Sequence, residues 1–396
     1  MTRVDTVNEL AETSSSVVSM REAARAAFRL AAAVAPPPPA DPSPPRTLAD
    51  PRHLARAGLQ AARYGAELLE CLWKGPRAGL GYLELDNKVR AFHFFETVAD
   101  ALELGSGALV PGEAIRRAES KLGSERAVWA IEGIGYELSE RRRRAGQSPD
   151  GLLRAADHDV RSGSWAVLHT GMGMSLAEAS LERVGSTTSP ELRRVLDEHV
   201  ALCRAAARPG YAELAFEPLG LVARQLHASL VPAIAADLAE RGGAWSDLFW
   251  HGVGRGVYFL PANLPPARSS PWRGLDSCRS EPPQERSRQN AVAGFSWAVT
   301  LVNLGRPSVV EGFLAHHATA NDPRDPVAQG VASALEFWHD VTGGSKELRG
   351  FVRHVAAPEL RALWQQVVGS GFEEILRRAS TNGTGDGRLP ELFRYR

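Results

Sequence analysis

Apolar residues along most of the chain recur every three or four positions, which is the spacing of an α-helix with one buried face. The segment LQAARYGAELLECL at 59–72 is typical of this pattern. Helical spacing runs from about residue 48 to Tyr258 and resumes at Ala291, and no stretch shows the strict alternation of a β-strand. The pattern therefore predicts an all-α fold.

Breaks in the pattern divide the chain. The run PPPPADPSPP at 36–45 favours extended polyproline geometry, so residues 1–47 are predicted to be a flexible N-terminal segment with a Pro-rich linker. Residues 48–396 are predicted to form a single helical-repeat domain. Within it, the stretch 261–290 is rich in Pro, Ser, Gly and Arg without periodicity and is predicted to be a long loop, and the tail from Thr381 is rich in turn residues.

A short pattern recurs seven times within the predicted domain. In each copy two mostly apolar residues precede Glu, His or, once, Trp, and the copies lie 34 to 48 residues apart. That spacing suits two helices and two connections per unit, so the chain is predicted to be an array of αα-hairpins that forms a curved solenoid or a closed α/α toroid around an apolar cavity. The residues at the recurring position are Glu96, Glu132, His169, Glu217, His251, Trp297 and His339.

Several copies carry glycine one and three residues after the polar position, as in EGIG and HGVG, whereas His169 is followed by its glycines one step later. Glycine is unfavourable within helices, so this spacing indicates close contact between helices or a break that admits a ligand. If the helices are equivalent, their polar residues face the cavity together. The predicted catalytic residues are Glu96, Glu132, His169, Glu217, His251 and His339, and the predicted substrate-binding residues are Phe95, Trp250, Arg255, Tyr258, Trp297 and Trp338.

The chemistry of this set points to proton transfer. Any one Glu or His within a helix is most simply explained by capping, helix-dipole or ion-pairing roles. A glutamate among bulky apolar residues has its pKa raised by desolvation and can donate a proton, and a histidine can accept one near neutral pH. The favoured prediction is an enzyme that cyclises or isomerises an apolar polyene or isoprenoid-like substrate. The alternative is a non-catalytic helical-repeat scaffold or binding protein, in which the same residues pair with arginines.

A metal-dependent oxygenase or hydrolase is a third possibility. Glu336 and His339 match the ExxH spacing of carboxylate-bridged di-iron sites. A second ExxH is absent from the sequence, which offers only the reversed pair His93 and Glu96 and, after Glu311, the adjacent His316 and His317. The favoured prediction therefore includes no metal ion and no cofactor.

Composition excludes several other classes. The 396 residues contain 46 Lys and Arg against 46 Asp and Glu, so net charge gives no general attraction to nucleic acid. The three cysteines form no CxxC pair, which favours a reducing, cytoplasmic location, and no apolar run is long enough to predict a transmembrane helix. Dinucleotide, P-loop and GxSxG motifs are absent. The oligomeric state is not predicted.

Five stretches carry a resemblance to a known family. They are RAFHFFE at 90–96, AIEGIGY at 130–136, LHTGMGM at 168–174, FWHGVGRGVYFLP at 249–261 and LFRYR at 392–396. In these stretches, over roughly residues 80–396, the chain resembles an uncharacterised family of bacterial proteins associated with gene neighbourhoods for enediyne-type polyketides and other specialised metabolites. The resemblance implies a biosynthetic context but assigns no catalytic role to any residue, and it does not extend to residues 1–50.

Overall fold

The computed structural model describes most of the chain after residue 108. The described ranges are 109–154, 160–184, 189–260, 274–319, 324–382 and 389–395, together with Asn87, Lys88, Ala91, Phe95, Leu102, Leu104, Trp272 and Asp322. The predictions for residues 1–47, for the helix at 59–72 and for Glu96 lie outside the described residues.

Regular structure among the described residues is helical throughout, which confirms the all-α prediction for them. Helix α1 is broken at Gly123, whose φ of 75° suits glycine. The helices are α1 Pro111–Arg144, α2 Ser162–Leu181, α3 Ser189–Ala206, α4 Ala212–Phe216, α5 Pro218–Leu226, α6 Val231–Arg241, α7 Ala244–Phe259, α8 Gly274–Ser280, α9 Glu285–Val302, α10 Pro307–His317, α11 Pro326–Thr342, α12 Lys346–Val352, α13 Arg361–Trp364 and α14 Ser370–Asn382. Short 3-10 turns cover Ala228–Leu230 and Leu389–Phe393, and Gln365–Gly369 is a π-turn.

Part of the stretch 261–290, which was predicted to be a long loop, is helical. Helix α8 lies inside it, and α9 begins at Glu285 rather than at Ala291. Leu275 and Cys278, three residues apart, are both buried. Helix α8 contacts α7 and α9, so tertiary packing stabilises this short helix. The sequence did not predict it because the residues around it are rich in Pro and Arg and show no helical spacing.

Two helices lie in the middle of the molecule. Every residue from 247 to 258 in α7 and from 290 to 302 in α9 is buried. A helix that is enclosed on all faces is a core helix rather than a surface helix. Within the described residues, no single helix has the length and apolarity to cross a membrane, and the pair Ala212–Leu226 and Ala228–Arg241, which passes that test jointly, is bent by 117°.

The most buried helices contact one another in chain order. Helix α1 packs on α2, α2 on α4 and α5, α5 on α7, α7 on α9, and α9 on α11. Helix α11 also contacts α2 and α1. At that junction Gly163 lies so close to the backbone of Val341 that any side chain at position 163 would collide with it. Other helices lie outside this set, as when α3 contacts α2 and α6 contacts α7.

Candidate functional site

A cluster of ionisable side chains is buried where α1, α5 and α7 meet. Arg255 on α7 is 3% exposed and lies between two glutamates. Its Nη1 donates to Oε2 of Glu217 at 2.6 Å, and its Nη2 donates to Oε1 of Glu132 at 3.2 Å. Glu217 is fully buried at the junction of α4 and α5, and Glu132 lies on α1. One guanidinium therefore joins two carboxylates from different helices.

His251 and Thr170 complete the cluster. His251 precedes Arg255 by one helical turn, and its Nδ1 donates to Oε1 of Glu217 at 2.7 Å. Thr170 on α2 places its Oγ1 3.2 Å from Oε1 of Glu132. We refer to Glu132, Thr170, Glu217, His251 and Arg255 as the buried network.

The two glutamates of the network have opposite pKa shifts. Burial raises the pKa of Glu132, and it outweighs the opposing effects of Arg255 and Thr170. Burial alone would also raise the pKa of Glu217, but Arg255 and His251 together lower it below the usual value. Paired carboxylates with opposite shifts are the usual arrangement of a proton donor beside a permanently ionised partner.

The two basic groups of the network also differ in charge. Burial lowers the pKa of His251 in spite of its hydrogen bond to Glu217, so the imidazole is neutral. Burial would lower the pKa of Arg255, but the two glutamates outweigh burial and raise it. With Glu217 ionised, Arg255 charged and His251 neutral, the network is electrically neutral only when Glu132 is protonated.

Aromatic rings enclose one side of the network. The Arg255 Cζ lies 4.9 Å from the ring centroid of Trp297, within the range of a cation–π contact. Phe393, in the C-terminal 3-10 turn, has its ring centroid 5.4 Å from that of His251 and 5.3 Å from that of Trp297. Phe337 packs against both Trp297 and Phe393. These rings lower the local polarity around the ionisable groups.

Glycines set the backbone positions of the network. A Cβ built on Gly171 would overlap the carbonyl oxygen of Glu132. The same relation holds between Gly252 and Glu217 and between Gly294 and His251. Each of these glycines allows its helix to approach the previous helix of the buried set at close range, so the backbones that carry the network residues are held by direct contact.

These glycine contacts identify the equivalent residue on each helix. A Cβ on each glycine would overlap the carbonyl oxygen of a network residue on the preceding helix. The residue just before the glycine therefore lies at the same height in the helix stack as that network residue. Gly330 continues the series, since its Cβ would overlap the carbonyl of Ala293. Glu217 has no glycine directly after it, and its place follows from Gly173, three residues after Thr170, whose Cβ would overlap the carbonyl oxygen of Ala215. The equivalent residues are Glu132, Thr170, Glu217, His251, Ala293 and Gln329.

The structure brings together five of the predicted site residues. Glu132, Glu217 and His251 from the predicted catalytic set join Arg255 and Trp297 from the predicted substrate-binding set. The catalytic and substrate-binding roles themselves stay predictions.

His169 bonds elsewhere. Its Nδ1 lies 2.6 Å from the carbonyl oxygen of Trp165, and its Nε2 accepts from the backbone N–H of Arg208 at 3.1 Å. Its ring stacks on Tyr211 at a centroid distance of 4.7 Å. Thr170, the next residue, supplies the group that contacts Glu132, which agrees with the one-step shift of the glycines noted in the sequence.

The remaining predicted residues make contacts away from the network. Nδ1 of His339 lies 3.6 Å from Oδ1 of Asp340, and the His339 ring packs on Phe372. The indole N–H of Trp338 donates to the hydroxyl oxygen of Ser345 at 3.3 Å. Trp250 packs on Phe249, and Tyr258 accepts a hydrogen bond from Asn303 at 3.0 Å. Phe95 packs edge-on against Tyr136.

The sequence did not single out Thr170, Phe337 and Phe393 as site residues. The glycine spacing contained the signal for Thr170, because TGMG at 170–173 aligns with EGIG at 132–135. Nothing in the sequence pattern placed Phe393 beside His251, since their contact joins the C-terminus to α7. Among the described residues, no group of three or more His, Cys, Asp or Glu side chains could hold a metal ion.

The buried histidines give a prediction about pH. Burial lowers the pKa of His169 to about 3 and that of His199 to about 4. A histidine with a lowered pKa contributes stability that is complete above its unfolded value of 6.5 and is lost as the pH falls. At pH 5 the free energy of unfolding is therefore expected to be lower by about 2 kcal/mol for each such histidine than at pH 8.

Urea unfolding at pH 8 and pH 5 measures this loss. His199→Gln removes one titrating group and is expected to show a loss about 2 kcal/mol smaller than that of the wild type. An equal loss in both proteins would contradict the prediction that His199 is neutral in the folded state.

Comparisons with known proteins add no assignment. No protein-family model, no curated protein and no solved structure matches this chain.

Proposed function

We propose that this protein is an acid–base enzyme that isomerises or cyclises an apolar, unsaturated substrate, with Glu132 as the proton donor. The observation that carries the proposal is the pair of buried carboxylates on one guanidinium, with the pKa of Glu132 raised and that of Glu217 lowered. Glu217 balances the charge of Arg255 and leaves Glu132 free to hold a proton.

The geometry around Thr170 is compatible with a protonated Glu132. The hydroxyl oxygen of Thr170 lies 2.7 Å from the carbonyl oxygen of Val167 and 3.2 Å from Oε1 of Glu132. A hydroxyl has one hydrogen and can donate to only one of them, and the shorter distance favours Val167. A protonated Glu132 can then donate to the oxygen of Thr170. Protonation also makes the buried network neutral, which avoids the cost of an unpaired buried charge.

The reaction balances without a co-reactant. Glu132 transfers its proton to one carbon of a substrate double bond, so that a C–H bond forms, the O–H bond breaks and a carbocation results. A second double bond of the same substrate can attack the cation and close a ring. Loss of a proton from a neighbouring carbon to the Glu132 carboxylate restores the double bond and the acid. Substrate and product are isomers.

The surroundings suit a polyene or isoprenoid-like substrate. Trp297, Phe337 and Phe393 present π-faces and edges that can stabilise a developing cation. We extend the proposal to the architecture: the contacts of α11 with α2 and α1 favour a closed α/α toroid whose interior holds the substrate. Phe393 packs directly on His251 and Trp297, so a substrate that approaches the network from this side displaces its ring.

Replacing Glu132 with glutamine tests the proposal. Glutamine keeps the shape of the side chain and removes the transferable proton, so turnover is expected to fall by about 10²- to 10⁴-fold. The assay incubates the protein in D₂O with linear isoprenoids and polyenes such as farnesene and squalene, and mass spectrometry detects isomeric products. Each protonation step adds one deuterium from the exchanged carboxyl group, so products heavier by one mass unit report the acid directly.

Glu140→Gln is the matched control. Glu140 lies on the same helix and is also buried, but it bonds to Ser175 and Arg143 outside the network. This variant is expected to retain turnover. Deuterium incorporation that persists in Glu132→Gln, with melting unchanged, would refute Glu132 as the proton donor.

A second candidate function is a non-catalytic scaffold or binding protein. The observation in its favour is that the network joins α1, α5 and α7 at contacts also set by Gly171 and Gly252, so its first role can be to hold helices together. In that case Glu132→Gln would lower the melting temperature, and no isomer would form from any substrate. Lost turnover at an unchanged melting temperature supports the enzyme instead.

The biosynthetic context also belongs to the proposal. The resemblance of residues 80–396 to a bacterial family linked to specialised metabolism suggests a substrate made by a polyketide or isoprenoid pathway. A reducing, cytoplasmic setting suits the free thiols of Cys203 and Cys278, both of which are buried.

A further inference from the structure

Two N–H groups beside the buried network have no hydrogen-bond partner among the described residues. They are Nε of Arg255 and Nε1 of Trp297, and neither has an acceptor within the part of the chain that the structure describes. Each of the two residues is only 3% exposed. Buried N–H donors are nearly always paired in folded proteins, because an unpaired donor loses its bonds to water and gains nothing in return.

The two donors belong to one contact. The Cζ of Arg255 lies 4.9 Å from the ring centroid of Trp297, so the guanidinium and the indole are direct neighbours. At the other end of the guanidinium, Nη1 and Nη2 each donate one hydrogen bond to a glutamate, to Glu217 and Glu132 respectively. The Nε–H of Arg255 and the indole N–H of Trp297 belong to the two nitrogen atoms of this contact that have no partner among the described residues.

We propose that Arg255 Nε–H and Trp297 Nε1–H form a binding site for the carbonyl oxygen of an apolar ligand. This inference rests on the proposed function and narrows its substrate class to apolar, unsaturated ketones, aldehydes or esters. Both groups donate and neither accepts, so the ligand atom must be an acceptor. A neutral oxygen suits the site better than an anion, because the nearby Glu217 is ionised and the network is already neutral with a protonated Glu132.

Other unpartnered donors provide a comparison within the same protein. Trp165 is 2% exposed, its Nε1 also lacks a partner among the described residues, and the guanidinium of Arg208 lies 4.4 Å from its ring centroid. It therefore reproduces the chemistry of Trp297, a buried indole beside an arginine, without contact to the glutamates of the network. Trp165→Phe is the matched control for Trp297→Phe, and both changes remove one N–H group and keep an aromatic ring.

The test uses two isosteric probes, acetophenone and α-methylstyrene, which carry C=O and C=CH₂ at the same position. Binding is measured by NMR with acetophenone labelled with ¹³C at the carbonyl, in the full chain and in Phe393→Ala. Removing the Phe393 ring creates space next to Trp297, so the probes do not depend on spontaneous opening of the interior. Circular dichroism confirms that each variant is folded.

We expect acetophenone to bind Phe393→Ala about tenfold more tightly than α-methylstyrene, with a downfield shift of its carbonyl carbon. Adding Trp297→Phe is expected to abolish both the preference and the shift, whereas adding Trp165→Phe leaves them unchanged. Equal affinity for the two probes, or a preference that survives Trp297→Phe, would overturn the carbonyl site. The role of Glu132 as the acid would not be affected, because the Glu132→Gln experiment tests it separately. Failure of both probes to bind Phe393→Ala would overturn the carbonyl site, and deuterium incorporation by the wild type would still decide the enzyme proposal separately.

Discussion

Replacing Gly171 with alanine is expected to lower the free energy of unfolding by about 3 kcal/mol or more. The new methyl group would overlap the carbonyl oxygen of Glu132, an atom of a neighbouring helix backbone. A flexible side chain could move aside, but a helix backbone can yield only if α1 and α2 separate along their interface. That separation opens gaps around buried residues such as Ile131 and Leu168, whose packing the fold then loses.

Gly350→Ala is the control for this change. Gly350 also lies within a helix, α12, but a Cβ built there would meet no atom within 4 Å. Alanine favours the helix over glycine by about 1 kcal/mol, so this variant is expected to be as stable as the wild type or slightly more stable. Chemical denaturation of both variants measures the difference.

The two results together separate close packing from helix propensity. If Gly171→Ala proved as stable as Gly350→Ala, then α1 and α2 could not be in backbone contact at Glu132. Because the same contact positions the Glu132 carboxylate beside Arg255, a folded Gly171→Ala variant is also expected to lose turnover.

Much of the fold could be predicted from the spacing of apolar residues. Helical periodicity is a local property, so the helical character of the described residues followed directly from it. Three of the network residues, Glu132, Glu217 and His251, could also be predicted, because each follows two apolar residues and lies three residues before a glycine that the close packing requires. The pattern is therefore visible in the sequence because neighbouring helices can approach this closely only where glycine is present.

The same pattern was misaligned where it lacked glycine. Trp297 and His339 were assigned to the recurring position, although Gly294 and Gly330 show that Ala293 and Gln329 occupy the equivalent level. Trp297 still reaches Arg255 because it lies one helical turn beyond Ala293, on the same face of α9. The position of a glycine is therefore a better guide to alignment between these helices than the polarity of the residue before it.

Contacts between distant segments could not be predicted in this way. Phe393 lies far from His251 along the chain, and residue spacing indicated no more than a turn-rich tail for the segment that contains it. Helix α8 was predicted to be part of a long loop for a similar reason. The helical state of α8 depends on its contacts with α7 and α9 rather than on its own composition. Periodicity describes single elements, whereas these features arise from how elements pack.

Replacing Arg255 with methionine is expected to lower the free energy of unfolding by about 3–5 kcal/mol at pH 8. Methionine fills a similar volume, but Glu217 loses its 2.6 Å bond to the guanidinium, and Glu132 loses its 3.2 Å bond. Both carboxylates then lie in the core without a cation. Arg286→Met is the matched control: Arg286 also pairs with a buried aspartate, Asp247, but its own side chain is 63% exposed, so the cost is expected to stay below about 1 kcal/mol.

The pH dependence of the loss identifies its cause. Without Arg255 the pKa values of Glu132 and Glu217 both rise above the ordinary value of 4.5. A carboxyl group with a raised folded pKa contributes stability that is complete below 4.5 and is lost as the pH increases. The difference between wild type and Arg255→Met should therefore shrink as the pH falls from 8 to 5, and the triple variant Glu132→Gln, Glu217→Gln, Arg255→Met should recover most of the stability at pH 8. A loss that is independent of pH and persists in the triple variant would mean that Arg255 supports the core by packing, and that its charge does not hold the two glutamates in opposite protonation states.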